Sequence, residues 1–318
     1  MNLHPPPSTG DSALLRINQL SLGFKGYTGF TRVLHGLSLS IYPGERVALV
    51  GESGSGKSVT SRIVLGTMHD VRTARISGNI TFDGRDLSSM TTAERRALRG
   101  RDISMIFQDP TSALNPVFRI GELFHEVLQR RDPKITVSDA HSRAAEGLNR
   151  VSIDDAERVL NSYSFQLSGG MNQRVMIAMA LINEPRLLLA DEPGTALDVT
   201  VQAQTLTLMR NLVEQLGTSV LFISHNLGVV REFADRIYVI YHGNIVEHGP
   251  VDAIFASPKH PYTRALLAAI PRLTGGGVPE IEEHSPAFND PLVTHGEVTH
   301  GEVTHGCLLY TSPSPRDS

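Results

Sequence analysis

The sequence predicts an α/β protein with a parallel sheet at its core and a helical subdomain inserted into that core. Three observations predict it. Short β-branched runs alternate with longer helical patterns up to about Gly249, the order expected when crossover helices connect parallel strands. The glycine-rich word GESGSGKS sits between a short apolar run and a helix start. Between Pro110 and Gln166 the strand signals vanish and only amphipathic stretches remain.

Leu14 to Phe24 and Val33 to Ile41 alternate apolar and polar residues, the period of strands with one buried face. Arg46 to Val50 is a short buried strand running into the glycine-rich word, and Lys57 to Leu65 continues as a helix. Ile76 to Phe82 is strand-like. Thr91 with Glu94 makes a capping box that starts a helix through Leu98, and Ile103 to Phe107 is the next strand. The insertion then supplies amphipathic helices near 119 to 130, 138 to 150 and 153 to 161. After it the alternation resumes: helix Met171 to Ile182, strand Leu187 to Ala190, helix Thr200 to Leu216, strand Ser219 to Ile223, helix Asn226 to Phe233 and strand Arg236 to Tyr241. From Pro250 to about Leu273 the chain reads as a helical appendix. Beyond the glycines at 275 to 277 it turns polar and repetitive.

Composition narrows the function classes. In 318 residues, 40% apolar content suffices for one large domain or two of ordinary size. The apolar runs are strand-sized, short of the roughly 18 residues of a membrane-spanning helix. The start, MNLHPPPSTG, lacks the basic flank and apolar stretch of a secretory signal. A single cysteine builds no disulfide framework, so a reducing cytoplasm is expected. Against 29 basic residues stand 33 acidic ones, and a net charge of −4 speaks against a nucleic-acid partner.

Gly51, Gly56, Lys57 and Ser58 satisfy G-x-x-x-x-G-K-[ST] in the strand-to-helix setting that this motif requires. Glycines let the backbone wrap an anion closely, so that several N–H groups and the positive helix terminus face phosphates. Lys57 then reaches the β- and γ-phosphates, and the Ser58 hydroxyl ligates magnesium. A glycine-rich turn without a ligand is the bland alternative. Leu187 to Ala190, followed by Asp191 and Glu192, is a buried strand ending in two carboxylates. The first can hold magnesium, and the second can polarise an attacking water. Alone, this reads better as a strand capped by an acidic turn; coupled to the phosphate loop, that becomes the minority reading. Leu167, Ser168, Gly169, Gly170 and Met171 open another helix with a hydroxyl and two glycine amides, a second anion-binding helix start that is by itself also an ordinary serine N-cap.

The ordered set resembles the ATP-binding-cassette (ABC) ATPases over roughly Leu14 to Gly249. LSGGMNQR is similar to the family signature, Gln108 in MIFQDP to its glutamine loop, Ala196, Leu197 and Asp198 to the loop after the acidic pair, and His225 in LFISHN to its switch histidine. The resemblance implies a P-loop NTPase core at 14 to 250, with an N-terminal antiparallel β-subdomain and an inserted α-helical subdomain at about 110 to 166. It implies ATP and Mg2+. Gly51, Ser53, Gly54, Ser55, Gly56, Lys57 and Ser58 would cradle the phosphates, and Ser58, Gln108 and Asp191 would face the metal. Glu192 would be the general base, His225 the γ-phosphate sensor, and Gln108 the link from magnesium and water to a transport partner. Ser168, Gly169 and Gly170 of one subunit would complete the site around the phosphate loop of another in a head-to-tail dimer. An aromatic residue would stack on adenine, with Phe30 the leading candidate and Tyr27 the second.

Flanking words narrow the branch. GESGSGKSVT, FQDPTSALNP, ADEPGTALDVTVQAQ and SPKHPYTRALLAAIP resemble the ATPase subunits of bacterial dipeptide, oligopeptide and nickel importers, and His260, Pro261, Tyr262 and Thr263 lie in an appendix, 251 to 273, typical of that branch. The resemblance implies two membrane permeases gripped by the helical subdomain, an external solute-binding protein, a second ATPase subunit, and a place on the inner face of the cytoplasmic membrane. Two departures stand out. Gly194 replaces a threonine common in the branch and is expected to loosen its loop slightly. The cysteine cluster that holds an iron-sulfur centre in several members has no counterpart, so no such centre is expected.

In the tail, residues 293 to 306 repeat VTHGE. Extended, the imidazoles of His295, His300 and His305 would lie about 17 Å apart, so disorder over 274 to 306 is favoured over a metal site. Cys307 to Ser318 resembles the translation of a transposon-type sequencing adapter and is expected to be foreign to the gene. Other readings remain open: the first half of a double-cassette importer ATPase, a soluble ABC ATPase that works mechanically, or a degenerate cassette, the last disfavoured because Lys57, Asp191, Glu192 and His225 are all in place.

Overall fold

The computed structural model describes residues 12–26, 29–194, 198–269 and 293–294. In chain order these form β1 (Leu15–Gly26), β2 (Gly29–Ile41), β3 (Arg46–Val50), α1 (Lys57–Val64), β4 (Ala74–Phe82), β5 (Arg85–Asp86), α2 (Thr92–Leu98), β6 (Ile103–Ile106), α3 (Pro110–Ala113), α4 (Ile120–Gln129), α5 (Val137–Arg150), α6 (Ala156–Asn161) and α7 (Gly169–Leu181). There follow β7 (Leu187–Asp191), α8 (Val199–Leu216), β8 (Ser219–Ser224), α9 (Leu227–Phe233), β9 (Arg236–Tyr241), β10 (Asn244–Pro250), α10 (Val251–Ala256), α11 (Pro261–Ala268) and β11 (Val293–Thr294).

Two sheets result. An antiparallel one runs β2-β1-β4-β5, and a seven-stranded one runs β11-β10-β9-β3-β8-β7-β6. In the second, β6, β7, β8, β3 and β9 are parallel, while β10 returns antiparallel to β9. Strand pleating decides which layer each residue joins. In β3, Val47 and Leu49 pack with Leu15, Ile17 and Ile63 between the sheets, whereas Ala48 and Val50 join Val175, Leu206 and Phe124 on the helical side. Because both faces are covered, β3, β7 and β8 are buried at every residue. That is why they read as continuous apolar runs.

The insertion is helical as expected, with Phe124, Leu128, Leu148, Val159 and Leu160 forming its buried side. Thr91 and Glu94 make the reciprocal capping box at α2. Two elements depart from expectation. β2 begins at Gly29 rather than Val33, because pairing with β1 continues to Gly26↔Gly29 and backbone hydrogen bonds need no apolar pattern. β10 was without a sequence signal: NIVEHGP carries a glutamate and ends in Gly-Pro, yet Glu247 is fully buried. Within 274 to 306, where disorder is expected, Val293–Thr294 pair in parallel with Glu247 and His248 on the open edge of β10. His295, His300, His305 and Cys307 to Ser318 lie outside the described residues. Among the described residues no helix is long and apolar enough to cross a membrane.

Candidate active site

The β3 strand delivers the chain into residues 51 to 56 at the carboxyl end of the parallel sheet, and α1 leaves from there. Gly51 is required by space. Its φ is 153°, and a Cβ would stand 2.1 Å from the Ile240 carbonyl oxygen of β9. Backbone cannot yield there as a side-chain tip would. Gly51→Ala is therefore expected to cost about 3 kcal/mol of unfolding free energy. Denaturant unfolding beside wild type measures it; a loss below about 1 kcal/mol would show that the loop steps aside easily.

No side chain caps the start of α1, and its first turn holds no acid. Its N–H groups and dipole are thus left for an anion. Lys57 is buried, and its Nζ donates to the carbonyl oxygens of Gly51 and Glu52 at 2.7 Å each. Burial lowers its pKa, against the opposing pull of Glu192, Asp191 and Glu52. Ser58 Oγ donates to Asp191 Oδ1 at 2.8 Å. Burial raises the Asp191 carboxyl above its usual range and Glu192 adds to this, while the Ser58 hydrogen bond, Arg62 and Lys57 work the other way. A buried carboxylate beside a hydroxyl is a hard-oxygen pair suited to magnesium, whose charge offsets the burial penalty.

Glu192 follows β7 with φ 49°, in the left-handed region that a glutamate rarely adopts, and its N–H donates to the Ile223 carbonyl of β8 at 2.9 Å. That backbone turn aims the carboxylate between two groups distant in sequence. Its Oε2 accepts from Gln108 Nε2 at 3.1 Å, and its Oε1 lies 3.1 Å from His225 Nδ1. The glutamate is mostly enclosed and the histidine is half open to solvent. Gln108, placed by sequence among the metal-facing residues, has its amide nitrogen on Glu192, which leaves the amide oxygen as the atom for a cation. Gly194 sits at φ 93°, a conformation suited to glycine, so it does more than loosen its loop. Ala196 and Leu197 lie outside the described residues.

The signature segment is elsewhere. Ser168 caps α7 by accepting from the Met171 N–H at 3.2 Å, and Ser168, Gly169, Gly170, Arg174, Asp198 and Gln204 line an open recess. None of residues 51 to 58, Asp191 or Glu192 lines it. Within one chain the two anion-binding helix starts therefore do not form one pocket. Phe30 is exposed at the outer end of β2, its ring lying over Gly23. Leu34, which touches Gly56, pairs with Leu22, and the register shift between the Leu22↔Leu34 and Gly23↔Arg32 pairs breaks the alternation, so the Phe30 ring over Gly23 is on the opposite face of the ladder from Leu34. Tyr27 lies outside the described residues.

One side chain that sequence reading used only to label a branch reaches this site. The Tyr262 hydroxyl accepts the Glu52 N–H at 2.9 Å across 210 residues of sequence. No local pattern signals such a contact.

Comparison with known proteins adds two family matches. Residues 34–195 match the ABC transporter family, and residues 246–308 match the oligopeptide/dipeptide transporter C-terminal region. A putative peptide import ATP-binding protein of Brucella abortus (strain 2308) is 48% identical over 260 residues, 82% of this chain and 78% of the relative. The oligopeptide transport ATP-binding protein OppD of Bacillus subtilis (strain 168) is 46% identical over 268 residues, 84% of this chain and 75% of the relative. Among solved structures, the dimeric post-hydrolysis state of the ATP-binding cassette MJ0796 with ADP and phosphate superposes with a TM-score of 0.66 at 27% identity, covering 74% of this chain and 98% of that one.

Proposed function

This chain belongs to the ABC transporter family of ATP-binding subunits, and from that premise we propose that it hydrolyses ATP to power import of di- or oligopeptides through membrane permeases. The observation that carries the chemistry is the Glu192 carboxylate, held between Gln108 and His225 one residue beyond the Asp191–Ser58 pair. A water in line with the γ-phosphorus passes its proton to a Glu192 oxygen as it attacks, and ADP leaves. Gln108 and His225 hold that carboxylate in orientation, and His225 registers the γ-phosphate. Lys57 keeps its two loop carbonyls and turns its third N–H to phosphate oxygens, while the loop amides of Ser53, Gly54, Ser55 and Gly56 and the start of α1 receive the rest of the anion. Ser58, Asp191 and the Gln108 amide oxygen would hold magnesium, which when bound neutralises charge between the β- and γ-phosphates. Phe30 is the residue offered to adenine.

The separation of the Ser168 recess from the phosphate loop supports a composite site, in which Ser168, Gly169 and Gly170 of a second ATPase subunit close over the nucleotide. Turnover per chain is then expected to rise steeply with protein concentration, and ATP to drive dimer formation. Sedimentation with ATP, run beside an ATPase titration, reads both. Full specific activity in a dilute preparation shown to be monomeric would overturn the composite site.

In the proposed reading the cassette is 14 to 250, its helical subdomain about 110 to 166 and the appendix 251 to 273. Exposed Phe107, Val117, Phe118 and Phe165 in and around that subdomain support a permease-binding role for it, and with that role go a position on the inner membrane face and a solute-binding protein outside. A second reading, half of a double-cassette ATPase, is favoured by one observation: the chain matches 48% of the length of the peptidoglycan transport ATP-binding protein YejF of Agrobacterium fabrum, at 48% identity.

A further inference from the structure

The Glu52 peptide is gripped from two sides. Its N–H donates to the Tyr262 hydroxyl at 2.9 Å, and its carbonyl accepts from Lys57 Nζ at 2.7 Å. Tyr262 is fully buried, its ring 4.4 Å from that of Tyr241, the residue after the Ile240 whose carbonyl closes on Gly51. The appendix that carries Tyr262 is itself latched to the sheet. Buried Glu247 of β10 accepts from the N–H groups of Lys259 at 2.8 Å and His260 at 3.0 Å, and His260 Nδ1 accepts from the Tyr262 N–H at 3.2 Å. A chain of hydrogen bonds therefore runs from β10 through α11 to the phosphate loop.

We propose that Tyr262 is a positioning residue for nucleotide binding: its hydroxyl fixes the Glu52 peptide, whose carbonyl aims Lys57, so that docking of the C-terminal appendix and affinity for ATP are thermodynamically linked. The proposal rests on the reading of residues 51 to 58 as the ATP site. The Glu52 N–H is partly buried; without its acceptor it must move or turn to solvent, and either shift disturbs the Glu52 carbonyl that steers Lys57. Burial also pushes the Tyr262 phenol well above its ordinary range.

The test compares Tyr262→Phe with Ile254→Val, a packing change at a fully buried position of α10, both made in the whole chain. Tyr262→Phe is expected to raise the Kd and the KM for ATP about three- to tenfold with kcat within about twofold, the pattern of lost binding that is uniform through the reaction. Ile254→Val, which also loosens the appendix, is expected to leave both constants at wild-type values. Wild-type constants in Tyr262→Phe would overturn the proposal, and so would an equal rise in Ile254→Val, since that would trace the effect to general stability. Failure of the wild-type chain to bind ATP would overturn the proposed function, and this role with it.

Discussion

Glu192→Gln is expected to bind ATP as wild type does and to hydrolyse it at least about 100-fold more slowly. The amide has the shape of the carboxylate and can still accept from Gln108 Nε2, so the neighbourhood of Asp191, Gln108 and His225 should stand. What disappears is the basic oxygen that takes the proton of the attacking water. Because binding persists while turnover stops, the variant should also accumulate as an ATP-bound dimer, visible in sedimentation. Single-turnover hydrolysis and equilibrium ATP binding, measured on the same preparation, separate the two effects. Turnover within about threefold of wild type would remove Glu192 from the role of base.

Lys57→Ala is expected to weaken ATP binding about 100-fold or more. Its ammonium is enclosed at the mouth of α1, where burial already strains the charge and two loop carbonyls are its compensation. Phosphate oxygens are stronger acceptors than carbonyls, and a charge-assisted pair out of water contributes about 3 kcal/mol, which corresponds to the stated factor. Deleting the side chain also frees the Gly51 and Glu52 carbonyls to turn toward the anion, and that repulsion acts in the same direction. Titration calorimetry with ATP reads the loss. Unchanged affinity would mean that the anion sits away from this loop.

Much of the fold is legible from the chain. The strand-to-helix junction at 50 to 57, the capping box at Thr91, the helical insertion and the strand ending at Asp191 depend on interactions spanning a few residues, and sequence expresses such interactions directly. β10 escaped because its pairing with β9 uses backbone groups, while its side chains include a buried glutamate whose partners, the N–H groups of Lys259 and His260, belong to a later segment. At the site, the residue types were legible and their company was not. Gln108 lies 84 residues from Glu192 in sequence, and no periodicity reports that contact. The φ of 49° at Glu192, which turns its carboxylate toward both neighbours, is likewise a tertiary property.

The sequence by itself determined the α/β alternation, the phosphate loop, the acidic pair and the family that these motifs resemble, because each is written in short spacings that local geometry converts into one backbone path. Only the tertiary structure decided which of these groups meet. It set the Asp191 carboxyl against Ser58, put the Ser168 recess away from the phosphate loop of the same chain, and brought Tyr262 from the appendix onto Glu52. The physical reason is that a hydrogen bond depends on where atoms lie after the sheets and helices have packed. Burial of apolar faces, which carries no information about polar pairing, is what fixes that packing.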